Sequence, residues 1–280
     1  MKTDTTEIQD GETRFNHIGK GANTAFHIIF ILLSILCLAP LVFVIIISFS
    51  SEHSVMVNGY SFRPDEWSTG AYEFVFQSGG QVMHSLGMSA LVTVTGVAIG
   101  MALTSTYAYV LSRKTFRYRK LFTGILVATM FFNGGLVSTY MVVANFLHLK
   151  NNFLALVLPV AVTPFNIIVL RTFFATSVPD ALIESAKIDG ASQFKIFTDI
   201  VLPISLPGLA TVALFLTLTY WNDWKNALLY IDSKSLYPLQ YLLMKIERNI
   251  EFIAQNAGRG SMGLDSALSR LPSETAKMAI

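Results

Sequence analysis

The sequence predicts an all-α integral membrane protein, a bundle of helices that cross a bilayer. Three observations lead there. Hydrophobic residues make up 52% of the 280 positions and charged residues only 14%, against about 25% charged in ordinary soluble domains. Mean hydropathy is +0.53. Five apolar segments, close to the ~20 residues that a hydrocarbon core demands, alternate with polar loops.

Residues 1–22 are a polar tail of mixed charge. They lack the short apolar core and small-residue cleavage site of a signal peptide. The first span covers about 25–49, and Pro40 inside it predicts a kink. Residues 50–84 form a polar loop with one Arg and no Lys. The second span, about 85–111, carries Gly96 and Gly100 with Thr93 and Thr104. These small residues share one face and let a neighbouring backbone come close. Residues 113–120 then place five Lys/Arg in eight positions.

The third span, about 121–145, is interrupted by Asn133-Gly134-Gly135. Adjacent glycines weaken a helix, and an amide at mid-membrane requires a partner. Two outcomes stay open: a kink satisfied by a neighbouring helix, or unwound backbone lining a solute cavity. The fourth span, about 153–174, contains Pro159, Pro164 and Asn166 and is expected to bend. The fifth, about 206–222, ends in Trp221-Asn222-Asp223-Trp224. Tryptophans at a span end mark the membrane interface or face a solute. Residues 225–271 read as a long mixed loop with helical stretches. A sixth span is expected to start near Pro272. The eight residues after it cannot cross ~30 Å at ~1.5 Å each, so the chain is expected to lack the rest of that span.

Several function classes drop out. The single Cys37 sits in an apolar run and the five histidines lie far apart, so no disulfide framework or metal cluster is expected. A formal net charge of +2 gives no electrostatic footprint for nucleic acid. No GxxxxGK[ST] occurs, so any ATP and magnesium are expected to bind another subunit and no cofactor this chain. A membrane-embedded enzyme would need a nucleophile with a base, or metal ligands, and neither stands out; the chain reads as non-catalytic. The alternative is an ion-coupled secondary transporter. Such proteins keep ionisable residues inside the membrane, whereas here only His27 and Arg171 lie near span ends.

Basic residues accumulate on the cytoplasmic side. The dense cluster at 113–120 therefore places the loops after spans two and four inside, with the N-terminus. The loop at 225–271 falls outside despite six Lys/Arg, since the rule weakens for long loops.

The loop after span four, residues 179–203, is a polar island that reads as two short helices. Pro179 suits a first helical turn, with Asp180 beside it where the positive helix end favours an acid. Asp189-Gly190 is a stop signal. Ser192 can cap a second helix, on which Phe194, Phe197 and Val201 are expected to share one face. Pro203 ends the unit. Glu184-Ser185-Ala186, then Gly190, then Ile200-Val201-Leu202-Pro203 resembles the EAA loop of ABC-importer permeases, E-A-A, three residues, G, nine residues, I-x-L-P. Ser185 is the one departure, and a small one. Ala108-Tyr109-Val110-Leu111-Ser112-Arg113 is similar to the A-Y-x-L-S-R end of span two in sugar-importer permeases, and Trp221-Asn222-Asp223 to their W-N-[DE] after span five. Together they resemble the smaller permease subunit of maltose-type importers. Phe131-Phe132-Asn133-Gly134-Gly135-Leu136 is similar to the branch importing larger or acidic, uronate-type oligosaccharides, with Ser138 departing from its usual proline. His84 stands where the family often has Asn.

The resemblance implies the type I ABC-importer permease fold, in a bacterial cytoplasmic membrane. It implies a heterodimer with a second permease, two ATPase subunits on the cytoplasmic side, a solute-binding protein outside, and an oligosaccharide moved by alternating access. The coupling residues it implies are Glu184, Ser185, Ala186, Asp189, Gly190, Ile200, Leu202 and Pro203, on a helix that docks in an ATPase cleft. Candidates for the solute path are Asn133, Gly134, Gly135, Tyr140, Asn166, Trp221 and Asn222. The loop at 225–271 resembles the one that contacts the binding protein. In maltose-type systems the other permease holds most of the sugar.

Overall fold

The structure, a computed structural model, describes residues 20–51, 54–55, 59–70, 72–73, 79–132 and 134–257. Among them the regular structure is helical, joined by turns and irregular loops, apart from a β-bridge pairing Ser50 with Trp67. The region expected to open a sixth span, near Pro272, lies outside the described residues, as do residues 1–19 of the tail. The described residues form two compact units, one within 20–73 and one within 79–257.

In the first unit, helix α1 (Lys20–Ser48) runs through Pro40 without a break. Apolar side chains are exposed all round it, Phe30, Leu36, Leu41 and Ile45 among them. A helix apolar on every side belongs in lipid or a core. At its end the Ser48 hydroxyl bonds to the Tyr72 hydroxyl at 2.8 Å, and the Ser68 N–H donates to the Phe49 carbonyl at 2.8 Å.

The second unit is built around α2 (Gly79–Ser112), 34 residues long. It starts six residues before the expected boundary, because polar Gln81 and His84 extend the helix beyond its apolar stretch. Against it pack α3 (Arg119–Phe131), α5 (Leu154–Ala161) and α6 (Pro164–Ser177), and between α3 and α5 the chain forms α4 (Gly135–Tyr140) with a π-helical continuation at Met141–Phe146. After the polar island come α9 (Leu206–Trp221), α10 (Lys225–Tyr230) and α11 (Leu239–Ala257).

Helices α1 and α2 are each long and apolar enough to cross a membrane alone. Three further candidates are bent pairs: Arg119–Phe131 with Gly135–Phe146 at 120°, Leu154–Ala161 with Pro164–Ser177 at 50°, and Gln193–Ile204 with Leu206–Trp221 at 83°. The breaks have local causes. Phe132 is extended and Gly135 has φ +79°, a region that glycine enters cheaply. Val162 and Thr163 are extended before Pro164, because a residue preceding proline is driven out of the helical region.

The small-residue stripe of α2 is where α9 seats. A Cβ on Gly96 would lie 2.4 Å from the Tyr220 ring, and one on Gly100 would lie 3.0 Å from the Ala161 carbonyl. Tyr220 is buried and its hydroxyl donates to the Val157 carbonyl at 2.8 Å. This one ring ties α9 to α2 and α5. On another side Asn151 clamps the segment after α10. Its N–H donates to the Tyr230 carbonyl at 2.7 Å, and its Oδ1 accepts from the N–H groups of Asp232 and Ser233 at 3.2 and 2.9 Å. Lys150 adds an ion pair to Asp232 at 3.2 Å. The Leu239 N–H donates to the Ser89 hydroxyl at 2.7 Å, so residues 225–249 are tied to the bundle.

Candidate functional site

The polar island folds as two helices. Pro179 stands just outside the first, with ψ 135°, and Asp180 opens α7 (Asp180–Ile188). The helix ends in a complete Schellman motif: the Ala191 N–H donates to the Ala186 carbonyl at 2.9 Å and the Gly190 N–H to the Lys187 carbonyl at 3.0 Å. That arrangement requires a left-handed residue after the cap, and Gly190 has φ +79°. Ser192 caps α8 (Gln193–Ile196), its hydroxyl accepting from the Lys195 N–H at 3.2 Å. The chain continues through a π-helical turn at Phe197–Val201 into Leu202–Ile204.

That turn changes which side chains face inward. Simple helical spacing groups Phe194 with Phe197 and Val201. Instead Ile196, Phe197 and Val201 are buried and Phe194 is 75% exposed. A π turn holds one extra residue, so the buried stripe slips by about one position, and Ile196 takes the inner place.

Tyr109 in the last turn of α2 and Lys114 just beyond it tie the island down, with Arg113 between them fixed to α6. The Tyr109 hydroxyl donates to Gln193 Oε1 at 3.1 Å, and its ring meets Phe197 at 5.0 Å between centroids. Arg113 lies over the Tyr109 ring at 5.3 Å and donates through Nη2 to the Phe174 carbonyl at 3.3 Å. Lys114 pairs with Asp180 at 2.8 Å. The Lys114 hydrogen bond holds the Asp180 carboxyl below the usual carboxylate range. The pair therefore contributes above ordinary carboxylate pKa values and is lost only as pH falls through the lowered one. Glu184 and Lys187, three residues apart, form no ion pair.

The outward side of α7 carries the matched motif. Glu184, Ser185, Asp189 and Gly190 are exposed, and Ala186 is half-buried. Ile188, 87% exposed, and Phe194 stand proud of the surface. Ile200 and Leu202 are half-buried and Pro203 is exposed. Ile183 is buried beneath α7. The island thus has an anchored inner side and an apolar and acidic outer side.

The candidates for a solute path separate. Asn133 lies outside the described residues. Gly135, with Thr139, Lys225, Asn226 and Tyr230, lines a cavity of about 310 Å³. Tyr140 stacks on Tyr230 with ring centroids 5.8 Å apart. Gly134 is exposed, and its carbonyl accepts from the Ser138 hydroxyl. Trp221 is half-buried where α9 ends, and the exposed Asn222 donates to the Leu218 carbonyl at 2.8 Å. Asn166 is 4% exposed, inside the bundle. Lys225 was invisible as a candidate because its cavity partner Thr139 is 86 residues away in sequence.

No protein-family model matches the chain. Individual relatives do. It is 38% identical over 250 residues to the polygalacturonan/rhamnogalacturonan transport system permease protein YtcP of Bacillus subtilis, covering 89% of this chain and 85% of that protein. It is 31% identical to the trehalose/maltose transport system permease protein MalG of Thermococcus litoralis, over 71% of this chain and 72% of that one. Among solved structures, a bacterial ABC transporter involved in the import of the acidic polysaccharide alginate matches with TM-score 0.76 and 25% identity, covering 94% of this chain and 91% of its own. On the identity and coverage of these relatives, and on the helical fold shared with the solved transporter, the chain belongs to the permease family of sugar and oligosaccharide ABC transport systems.

Proposed function

We propose that this chain is one of two related permeases in an ATP-driven importer, and that α7 is the helix through which partner ATPases drive it. The outer side of the island carries the reading: it is exposed, apolar at Ile188 and Phe194, acidic at Glu184, and the island is tied to the end of α2 by the Tyr109–Gln193 hydrogen bond and the Lys114–Asp180 pair. A rigid knob of this kind transmits motion, whereas a loose loop would absorb it. ATP and magnesium sit in the ATPase subunits. A solute-binding protein docks on the opposite side, near residues 225–249. The permease spans the bacterial cytoplasmic membrane five times, through α1, α2, the bent pairs Arg119–Phe131 with Gly135–Phe146 and Leu154–Ala161 with Pro164–Ser177, and α9, with residues 113–120, 179–203 and the N-terminus in the cytoplasm. The relatives named above are ABC transport permeases and none is an ion-coupled carrier.

Glu184→Ala tests the coupling. The expected outcome is normal insertion with solute-stimulated ATP hydrolysis reduced at least severalfold in the reconstituted complex. Were Glu184 an ordinary surface residue, its loss would change stability within ±0.5 kcal/mol and leave stimulation at the wild-type level; that result would remove the ATPase interface from α7. In the same preparations, after replacement of Cys37, cysteine at 192 should resist external labelling and cysteine at 235 should accept it.

The solute is an acidic oligosaccharide of the uronate type. Lys225 supports this, since it lines the 310 Å³ cavity and forms no ion pair there. The adjacent carboxylate of Asp223 is occupied by Asn226, which donates to it through Nδ2 at 2.6 Å and through its N–H at 3.1 Å. A hydrogen bond to a charged group is worth ~1.5–3 kcal/mol. Lys225→Gln should therefore raise the half-saturating concentration for an oligogalacturonate roughly tenfold or more, with Lys225→Arg restoring much of it. Unchanged uptake by Lys225→Gln would exclude this cavity from the path.

A further inference from the structure

A larger cavity opens where α2, α3 and α6 end beside the polar island. It measures about 770 Å³. Five cations line it: Lys114, Arg117, Arg119 and Lys120 from the turn and first residues of α3, and Arg171 from α6. No carboxylate lines it. Of the five, Lys114 has an ion-pair partner, in Asp180. Like charges in one cavity repel, and an arrangement that concentrates them is costly unless an anion joins them.

Other features point the same way. The Thr123 hydroxyl on the cavity wall is buried and has no hydrogen-bond partner, and neither has Nη1 of the adjacent Arg113. Buried polar groups are nearly always satisfied, and an exception calls for an unseen water or ion. The first turn of α3 has neither a capping side chain nor an acid, so its N–H groups and dipole favour an anion. The rest of the wall is apolar, with Phe116, Gly124 and Val127. Beyond it Leu121, Phe122 and Ile125 are exposed along α3.

We infer that this cavity binds the phosphate headgroup of an acidic membrane lipid, with an acyl chain lying along α3. An inorganic phosphate would use the cations alone. A lipid uses the cations at the water end of α3 and the apolar side chains one and two turns deeper, which matches the order in which they occur along the helix. Basic pockets at the cytoplasmic ends of spanning helices suit such headgroups. The inference stands apart from the coupling and solute readings, since it needs only that α3 lies at a membrane surface.

The test titrates the full-length protein, purified in mild detergent with its accompanying subunits, with phosphatidylglycerol, phosphatidylcholine or inorganic phosphate. Retained adducts on this chain are read by native mass spectrometry. Phosphatidylglycerol should be retained on the wild type and phosphatidylcholine washed away. At roughly fivefold per basic residue, the triple change Arg117→Gln, Arg119→Gln and Lys120→Gln should weaken retention by well over tenfold. If the triple variant does not assemble, Arg117→Gln alone should show about a fivefold loss. Millimolar phosphate that displaces phosphatidylglycerol completely would make this a site for a soluble anion and overturn the lipid assignment. Equal retention of both lipids, or by variants and wild type, would overturn the site itself.

Discussion

Gly190→Val is expected to insert into the membrane normally and to lose most solute-stimulated ATP hydrolysis. The reason is local. Gly190 closes the Schellman motif of α7 with φ +79°, and a Cβ there would meet nothing within 4 Å. The cost is therefore torsional, not steric. A non-glycine residue in the left-handed region costs ~1–2 kcal/mol, and a β-branched one is a clear outlier there. Since ~1.4 kcal/mol is a factor of ten in population, the correctly terminated α7 would fall to a minority. Ile188 and Glu184 would then leave the positions in which the brace from α2 holds them. Gly190→Asn separates this from a mere loss of glycine, because asparagine visits the left-handed region and should keep most activity. Equal loss in Val and Asn variants, or full activity in Val, would show that the turn is not what matters.

The second large effect is on stability. Gly96→Val should prevent the bundle from closing. Its Cβ alone would sit 2.4 Å from the Tyr220 ring, and that ring is buried, with its hydroxyl held by the Val157 carbonyl. Moving the ring overpacks the core by ~1–3 kcal/mol and strands a buried polar group at ~1–3 kcal/mol more. The expected loss of ~2–6 kcal/mol would appear as a lower midpoint of thermal unfolding in detergent and reduced yield of assembled complex. Pairing Gly96→Ala with Tyr220→Leu should recover part of the loss relative to Gly96→Ala alone. Wild-type unfolding by Gly96→Val would mean that the α2–α9 contact is not as tight as the geometry states.

Both positions stand out in the sequence, and the reason is that each is a local signal. Asp189-Gly190 announces a turn, and Gly96-x-x-x-Gly100 announces close packing. Pro164 and the paired glycines likewise mark the bends in the fourth and third spans. What the sequence conceals is whatever depends on distance. The brace joins Lys114 to Asp180 and Tyr109 to Gln193, and the basic cavity needs Arg171 beside the cluster at 113–120. The cluster alone reads as an anchor for the membrane surface; only the added helix turns it into the wall of a cavity. The misplacement of Phe194 has a different origin. Periodicity counts 3.6 residues per turn, and a π turn breaks that count without any residue to announce it.

Helix α2 has a further consequence as a mechanical part. At ~1.5 Å per residue its 34 residues make a rod of ~51 Å, much longer than a hydrocarbon core of ~30 Å. Its close approach to α9, Gly96 on Tyr220, falls at the middle of that length, leaving arms of ~25 Å on either side. One arm ends at Tyr109, fastened through Gln193 to the island on which the proposed ATPases would push. The other passes Ser89 and Gln81, which hydrogen-bond to the segment after α10. A rod held at its midpoint is an equal-arm see-saw. A sideways displacement of ~3 Å at the island, a tilt of ~7° for an arm of that length, returns as ~3 Å in the opposite direction on the far side of the membrane.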